Sequence, residues 1–267
     1  MSGYIVESAL LTHGLASTTS KQIRQVWKDG WQIAWLESGR LRIGEIDEFC
    51  AFRSKAEDLK RINYFSYEEA CRNSASGPLT ASGTMRAAEE TGVPCVVTCG
   101  IGGIRPGENA EASNDISAMK QSDISLVASA FKDMFDTDCS ISAAEQSGIN
   151  VCRLTEYWHR GYVIKETAKH SAADAAEPPK AEVFCRKTLY LVPAPESQLI
   201  NDPEILEEAV RYGKEAAQNG QAFHPAVNRR IDELTKGYSS ALQLLMLIEN
   251  IKAAGSLMIR TETGNRS

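Results

Sequence analysis

Val93-Pro94-Cys95-Val96-Val97-Thr98-Cys99-Gly100-Ile101-Gly102-Gly103-Ile104 reads as a buried strand, Val93 to Thr98, that runs into a glycine-dense turn. A short, unbroken apolar run bounded by proline and glycine suits a strand covered on both faces. A helical pattern from Thr80 to Thr91 precedes it. A second buried strand, Ile124 to Ala130, follows and runs into Phe131-Lys132-Asp133. A helix over Ser140 to Ser147 then leads to a third short strand, Ile149 to Leu154. Strands alternating with helices predict a layered α/β domain rather than a bundle or a sandwich.

Working outward, a helix from Ser20 to Asp29 is expected to stop at Gly30. Gln32 to Glu37 and Arg40 to Gly44 read as two strands around the turn Ser38-Gly39, with a helix near Tyr67 to Asn73. Past the third strand, residues 166–180 are rich in alanine and polar residues and contain Pro178-Pro179, so they read as a surface excursion. A strand at Val183 to Val192 is followed by helices at Pro203 to Asn219, Pro225 to Thr235 and Ser239 to Met258, and residues 261–267 read as a frayed tail. With 43% hydrophobic and 24% charged residues, residues 1–267 are expected to form one domain.

A net charge of -6 gives no basic footprint, which argues against a nucleic acid polymer as partner, while a local cationic pocket can still hold one phosphate. No apolar stretch approaches the roughly 20 residues of a membrane span, and Met1-Ser2-Gly3-Tyr4 does not resemble a signal peptide. A cytoplasmic location without a membrane partner is therefore expected. The seven cysteines are odd in number and lie mostly in apolar runs, so they are expected to be reduced. Cys95 and Cys99 share a face by alternation, but no second Cys or His pair accompanies them, which favours small buried hydrophobes over zinc. Trp27, Trp31 and Trp35 are expected in the core or an interface. Tyr157, Trp158 and His159 form a polar-aromatic cluster in which a ring could stack on a heterocycle.

Four segments can carry chemistry. Thr98 to Ile104 is either a plain turn or one whose glycines let backbone amides face an anion. Asn114-Asp115-Ile116-Ser117-Ala118 is either a helix cap or an oxygen ligand for a hard cation beside a hydroxyl that holds phosphate. Lys132, at the end of an apolar strand, is either a snorkelling surface residue or a desolvated amine able to attack an aldehyde-level carbon. Glu7 follows Tyr4-Ile5-Val6 and precedes His13; a carboxylate there is structural or a proton donor.

Together these segments resemble the pseudouridine-5'-phosphate glycosidase (indigoidine synthase A-like) family. Val6-Glu7-Ser8-Ala9-Leu10-Leu11-Thr12-His13-Gly14-Leu15 resembles its Leu-Glu-Ser-Thr-Ile-Ile-Ser-His-Gly-Met opening, and Thr98 to Ile104 its Thr-Gly-Gly-Ile-Gly-Gly-Val turn. Asp115-Ile116-Ser117-Ala118 resembles Asp-Ile-Ser-Ala-Asp, and Ser129-Ala130-Phe131-Lys132 resembles Ala-Gly-Ala-Lys, in family order along nearly the whole chain. The resemblance implies a three-layer α/β/α fold with a central mixed sheet, a homotrimer, and reversible cleavage of a carbon–carbon glycosidic bond. It implies Lys132 as the nucleophile, Glu7 as the proton donor and Asp115 as the ligand of a manganese or magnesium ion. Arg61 with adjacent Lys60, and His13, Ala81, Thr98, Ser117, Ala118 and Met119, are implied substrate contacts. The substrate would be a phosphorylated C-nucleoside, or ribose 5-phosphate plus a heterocycle.

The departures fall on the substrate cradle. Met119 stands where the family has its second aspartate, Arg61 where it has a lysine, and Val192-Pro193-Ala194-Pro195 where it has Asn-Pro-Ile-Pro. A synthase for another heterocycle, or a non-catalytic phosphosugar-binding relative, is the competing expectation.

Overall fold

The computed structural model describes residues 3–105, 107–165 and 177–264. The strands are β1 (Tyr4–Glu7), β2 (Ile33–Glu37), β3 (Arg40–Gly44), β4 (Gly77–Pro78), β5 (Cys95–Val97), β6 (Gly100–Ile101), β7 (Ser125–Ala128), β8 (Ala130–Phe131), β9 (Asn150–Arg153) and β10 (Thr188–Leu191). The helices are α1 (Ser20–Val26), α2 (Ile46–Arg53), α3 (Tyr67–Arg72), α4 (Ala81–Thr91), α5 (Asn114–Gln121), α6 (Thr137–Gln146), α7 (Pro203–Gln218), α8 (Phe223–Leu234) and α9 (Tyr238–Gly264).

Alternation along each central strand sorts its side chains onto two faces. Val6, Val97, Val127 and Tyr190 lie in register and point to one side, where Ile23 of α1, Phe49 of α2, Val227 of α8 and Leu247 and Ile251 of α9 cover them. Ile5, Val96, Leu126 and Leu189 point to the other, against Met85 of α4, Ile116 of α5 and Ala144 of α6. The fold is thus the three-layer α/β/α arrangement. The main sheet runs β3-β2-β1-β5-β7-β10-β9; β3 and β4 pair antiparallel with β2, and the remaining ladders are parallel, so the sheet is mixed.

Several elements differ from the sequence expectation, each for a local reason. The strand read from Ile124 to Ala130 is broken: β7 ends at Ala128, Ser129 donates to Cys99 O at 2.6 Å, and β8 pairs with β6 in a separate parallel ladder. The run through Val97 breaks at the same level. Buried Asn250 of α9 fills the gap, its Nδ2 donating to Thr98 O at 2.7 Å and Ser129 Oγ at 3.0 Å. Helix α1 stops at Val26 because Trp27 turns extended and its indole N–H donates to Trp31 O at 3.0 Å. Helix α6 begins earlier than expected, at Thr137, where Asp136 caps it by accepting from Cys139 N at 2.8 Å. The strand expected from Val183 shrinks to β10, since Lys187 takes a left-handed φ of 54°.

Helix α2 has no counterpart in the sequence reading. Of the frayed tail expected at 261–267, residues 261–264 belong to α9, which continues to Gly264, and 265–267 lie outside the described residues. Within α9, Tyr238–Thr261 is long and apolar enough by length and composition to cross a membrane, contrary to the sequence reading. More than half of its apolar window is buried, and it packs on β1, β5 and β7 as a core helix. Most of the surface excursion, 166–176, lies outside the described residues; past it, Ala181 N donates to Arg153 O of β9 at 2.9 Å.

Trp27, Trp31 and Trp35 are core residues, Trp27 edge-on to Trp31 at 5.6 Å and Trp35 stacked on Phe52 at 5.7 Å. The seven cysteines are free thiols, with Cys95 and Cys99 buried in the same cluster.

Candidate functional site

From β1 the chain passes to β2 on one side, and its later strands β5 and β7 continue on the other, so the carboxyl ends of β1 and β5 border a topological switch point. Such a crevice is where open α/β sheets bind ligands. A cavity of about 460 Å³ opens there, of a size suited to a small phosphorylated ligand. Glu7, Lys60, Arg61, Ala81, Asp115 and Lys132 line it.

Register places the acid. Val6 pairs with Val97, so Glu7 and Thr98 stand side by side one residue beyond, and the Thr98 hydroxyl donates to Glu7 Oε2. Burial pushes the Glu7 carboxyl up to about 7, although the Lys132 ammonium, the Thr98 hydrogen bond and Arg61 oppose that rise. A carboxyl poised there exchanges a proton near neutral pH. Lys132 follows the last rung of the β6–β8 ladder, with its own N–H donating to Ile101 O at 3.1 Å, and its half-buried side chain shares the cavity wall with Glu7. Beyond it, half-buried Asp133 accepts from the amides of Tyr162, Val163 and Ile164 at 2.8, 3.0 and 3.2 Å. Burial raises its carboxyl to about 6, and its oxygens are engaged in holding that segment behind the site.

The glycine turn serves packing more than anion binding. A Cβ on Gly100 would stand 2.3 Å from the Tyr162 ring, and one on Gly103 2.3 Å from Ser140 Oγ, so close approach requires glycine there. The amides of Gly102 and Ile104 are already given to Asp115 Oδ2 at 2.8 Å and Ser140 Oγ at 2.9 Å. Asp115 Oδ1 accepts from Ser82 N at 3.2 Å, so this carboxylate ties α4 to the turn. No group of three or more His, Cys, Asp or Glu able to hold a metal occurs among the described residues. A divalent ion here would find Asp115 as its protein carboxylate and water for most of its other ligands.

Five expected substrate contacts stand off the cavity wall. Ala118 and Met119 are buried in the apolar core on the α4–α6 side, because at that point of α5 the helix turns them toward the sheet. The Thr98 hydroxyl is spent on Glu7, the Ser117 hydroxyl donates to Ala110 O at 3.2 Å, and His13 Nε2 pairs with Glu57 O at 3.1 Å. Nor do Tyr157, Trp158 and His159 line this cavity; the Tyr157 hydroxyl donates to Pro193 O at 3.1 Å and His159 Nε2 to Ala194 O at 2.6 Å. His224 and Asn228 do line it, from α8, and Asn250 supports it from α9. They lie more than ninety residues beyond Lys132, in a stretch that reads as an ordinary amphipathic helix pair, and only an imidazole just ahead of Pro225 marks the place.

The profile of the family described as indigoidine synthase A like protein matches residues 5–260. The chain is 23% identical to the pseudouridine-5'-phosphate glycosidase of Kosmotoga olearia, covering 98% of this chain and 97% of that protein. It is 28% identical to that of Dinoroseobacter shibae, covering 95% and 90%. Among solved structures, an indigoidine synthase A-like protein from Thermotoga maritima superposes with a TM-score of 0.72 at 22% identity, covering 95% of this chain and 91% of that one. The prealnumycin C-glycosynthase AlnA in complex with ribulose 5-phosphate superposes with a TM-score of 0.73 at 18% identity, covering 98% and 92%.

Proposed function

Because this chain belongs to the indigoidine synthase A-like family, we propose that it is an enzyme that breaks or makes the carbon–carbon glycosidic bond between a ribose 5-phosphate moiety and a heterocycle. The observation that carries this reading is the convergence of Lys132, of Glu7 with its carboxyl near neutrality, and of the Arg61 guanidinium in one cavity. In the cleavage direction the Lys132 amine adds to the anomeric carbon while Glu7 gives its proton to the departing ring oxygen, which opens the sugar. The heterocycle carbon then takes a proton, the carbon–carbon bond breaks with its bonding pair passing into the ring, and the nitrogen lone pair forms the imine. Water hydrolyses the imine to ribose 5-phosphate and free amine. Dividing the step in this way suits a poor carbon leaving group.

Arg61 is the group proposed to clamp the phosphate, since a planar guanidinium can engage two oxygens at once. A manganese or magnesium ion on Asp115 and a homotrimeric assembly complete the proposal; metal retention after gel filtration and the mass of the eluted assembly test them. The second reading, synthesis with a ring other than uracil, is favoured by the replaced cradle, in which Met119 sits in the core instead of offering a carboxylate.

Borohydride reduction in the presence of ribose 5-phosphate should add the mass of a reduced sugar phosphate at Lys132, and Lys132→Ala should lose both trapping and turnover. Turnover by the wild type without any adduct at Lys132 would replace the covalent route with direct displacement.

A further inference from the structure

His224 stands in the first turn of α8, and Asn228 lies one turn later, so the two side chains leave the same helix face and both line the cavity with Lys132. The imidazole is edge-on to two phenylalanine rings, Phe135 at 4.8 Å and Phe223 at 5.5 Å, which fix its orientation. Neither ring nitrogen has a hydrogen-bond partner among the described residues, so both stay available to a ligand. Burial, with Lys132, Arg61 and Arg105 nearby, lowers its pKa to about 4 and keeps the ring uncharged at neutral pH. A phosphate dianion is better served by the cations of the cavity. A neutral imidazole beside a carboxamide offers paired donors and acceptors to an uncharged planar group.

The anomeric carbon attacked by Lys132 is also the carbon that carries the heterocycle, so the leaving ring must rest on a wall beside the lysine amine. We infer that His224 and Asn228 hold the leaving heterocycle, with an imidazole N–H donating to the ring oxygen that takes up the electron pair when the carbon–carbon bond breaks. This inference rests on the lysine-imine reading above. The ring carbon first takes one proton from solvent and becomes tetrahedral; the broken bond's electrons then pass into the ring toward that oxygen while the Lys132 nitrogen supplies the pair for the imine. The imidazole keeps its own proton and acts as a fixed dipole where charge develops, as neutral histidines can. The ring class this selects is planar and uncharged, with the bonding carbon conjugated to a carbonyl or phenol oxygen.

The test separates two half-reactions. Borohydride trapping with ribose 5-phosphate alone reports the imine, and joining of that sugar to uracil or to benzene-1,3-diol as probe rings reports the heterocycle wall. His224→Ala and Asn228→Ala should trap the sugar as the wild type does. The joining rate should fall by roughly 100-fold in His224→Ala, and His224→Gln, which keeps a neutral donor, should recover part of it. Unchanged joining rate and ring KM in His224→Ala would overturn the inference. So would equal loss of trapping, since the pair would then serve the sugar, or a wild type that traps the sugar and joins neither probe. A wild type that never traps the sugar would remove the lysine-imine reading instead.

Discussion

At the scale of single residues, the site depends on where Glu7 keeps its proton. Its carboxyl sits near 7 because burial outweighs three favourable neighbours, so kcat/KM for cleavage should fall as pH rises past about 7, when the donor is ionised. The same burial has a stability cost with a definite sign. The folded value lies above the ordinary 4.5, so the contribution of the protonated form is complete below about 4.5 and is lost as pH climbs through about 7. Glu7→Gln stays neutral and should melt increasingly above the wild type as pH is raised through that window, by at most about 3 kcal/mol, while losing turnover. Arg61→Ala should raise KM for the phosphorylated sugar roughly 10- to 100-fold, as loss of charge-assisted hydrogen bonds does. A rise with Lys60→Ala and none with Arg61→Ala would move the phosphate contact by one residue. Glu7, Asp115 and Lys132 were legible because each ends an apolar run or opens a helix beside a recognisable turn. Thr98 was legible as a position but not in its task, since only the strand register reveals that its hydroxyl faces Glu7.

At the scale of elements, the sequence shows where strands and helices lie and hides where they break. Ser125-Leu126-Val127-Ala128-Ser129-Ala130-Phe131 is apolar enough to read as one strand, and the break at Ser129 is caused by partners elsewhere in the chain: Cys99 O and the carboxamide of Asn250. Helix α2 is hidden in the sequence because its buried Phe49, Cys50 and Phe52 are followed by polar residues that blur a 3.6-residue period. Asn250 is the clearest hidden element-level contact. In Asn250→Leu the Thr98 carbonyl and the Ser129 hydroxyl lose their partner in a dry interior, which should cost about 1–3 kcal/mol. Calorimetry should record a Tm lower by several degrees. Turnover should fall further than stability explains, because Thr98 orients Glu7; an unchanged Tm and rate would show that water replaces the carboxamide.

At the scale of the whole molecule, strand order was not readable from local pattern, because alternation identifies a strand but not its neighbour. The layered class was readable, since the β1, β5 and β7 segments are apolar on both faces and need helices on each. What the order adds is that the sheet's outward turn from β1 to β2 and its return through β5 set Glu7 beside Thr98, and that the paired departure of β6 and β8 sets Lys132 opposite them. The acid's neighbour therefore ends the β5–β7 ladder and the nucleophile ends the small β6–β8 ladder, with Asn250 bonded to Thr98 and Ser129 where the two meet. Amide exchange reads this join directly: parting β6 from β8 frees the N–H groups of Ser129 and Lys132 together, so their exchange should follow one opening free energy, below that of the β5–β7 amides behind them. The same opening event would carry the nucleophile away from the acid, so the fraction of molecules competent for catalysis and the protection of those two amides are one quantity.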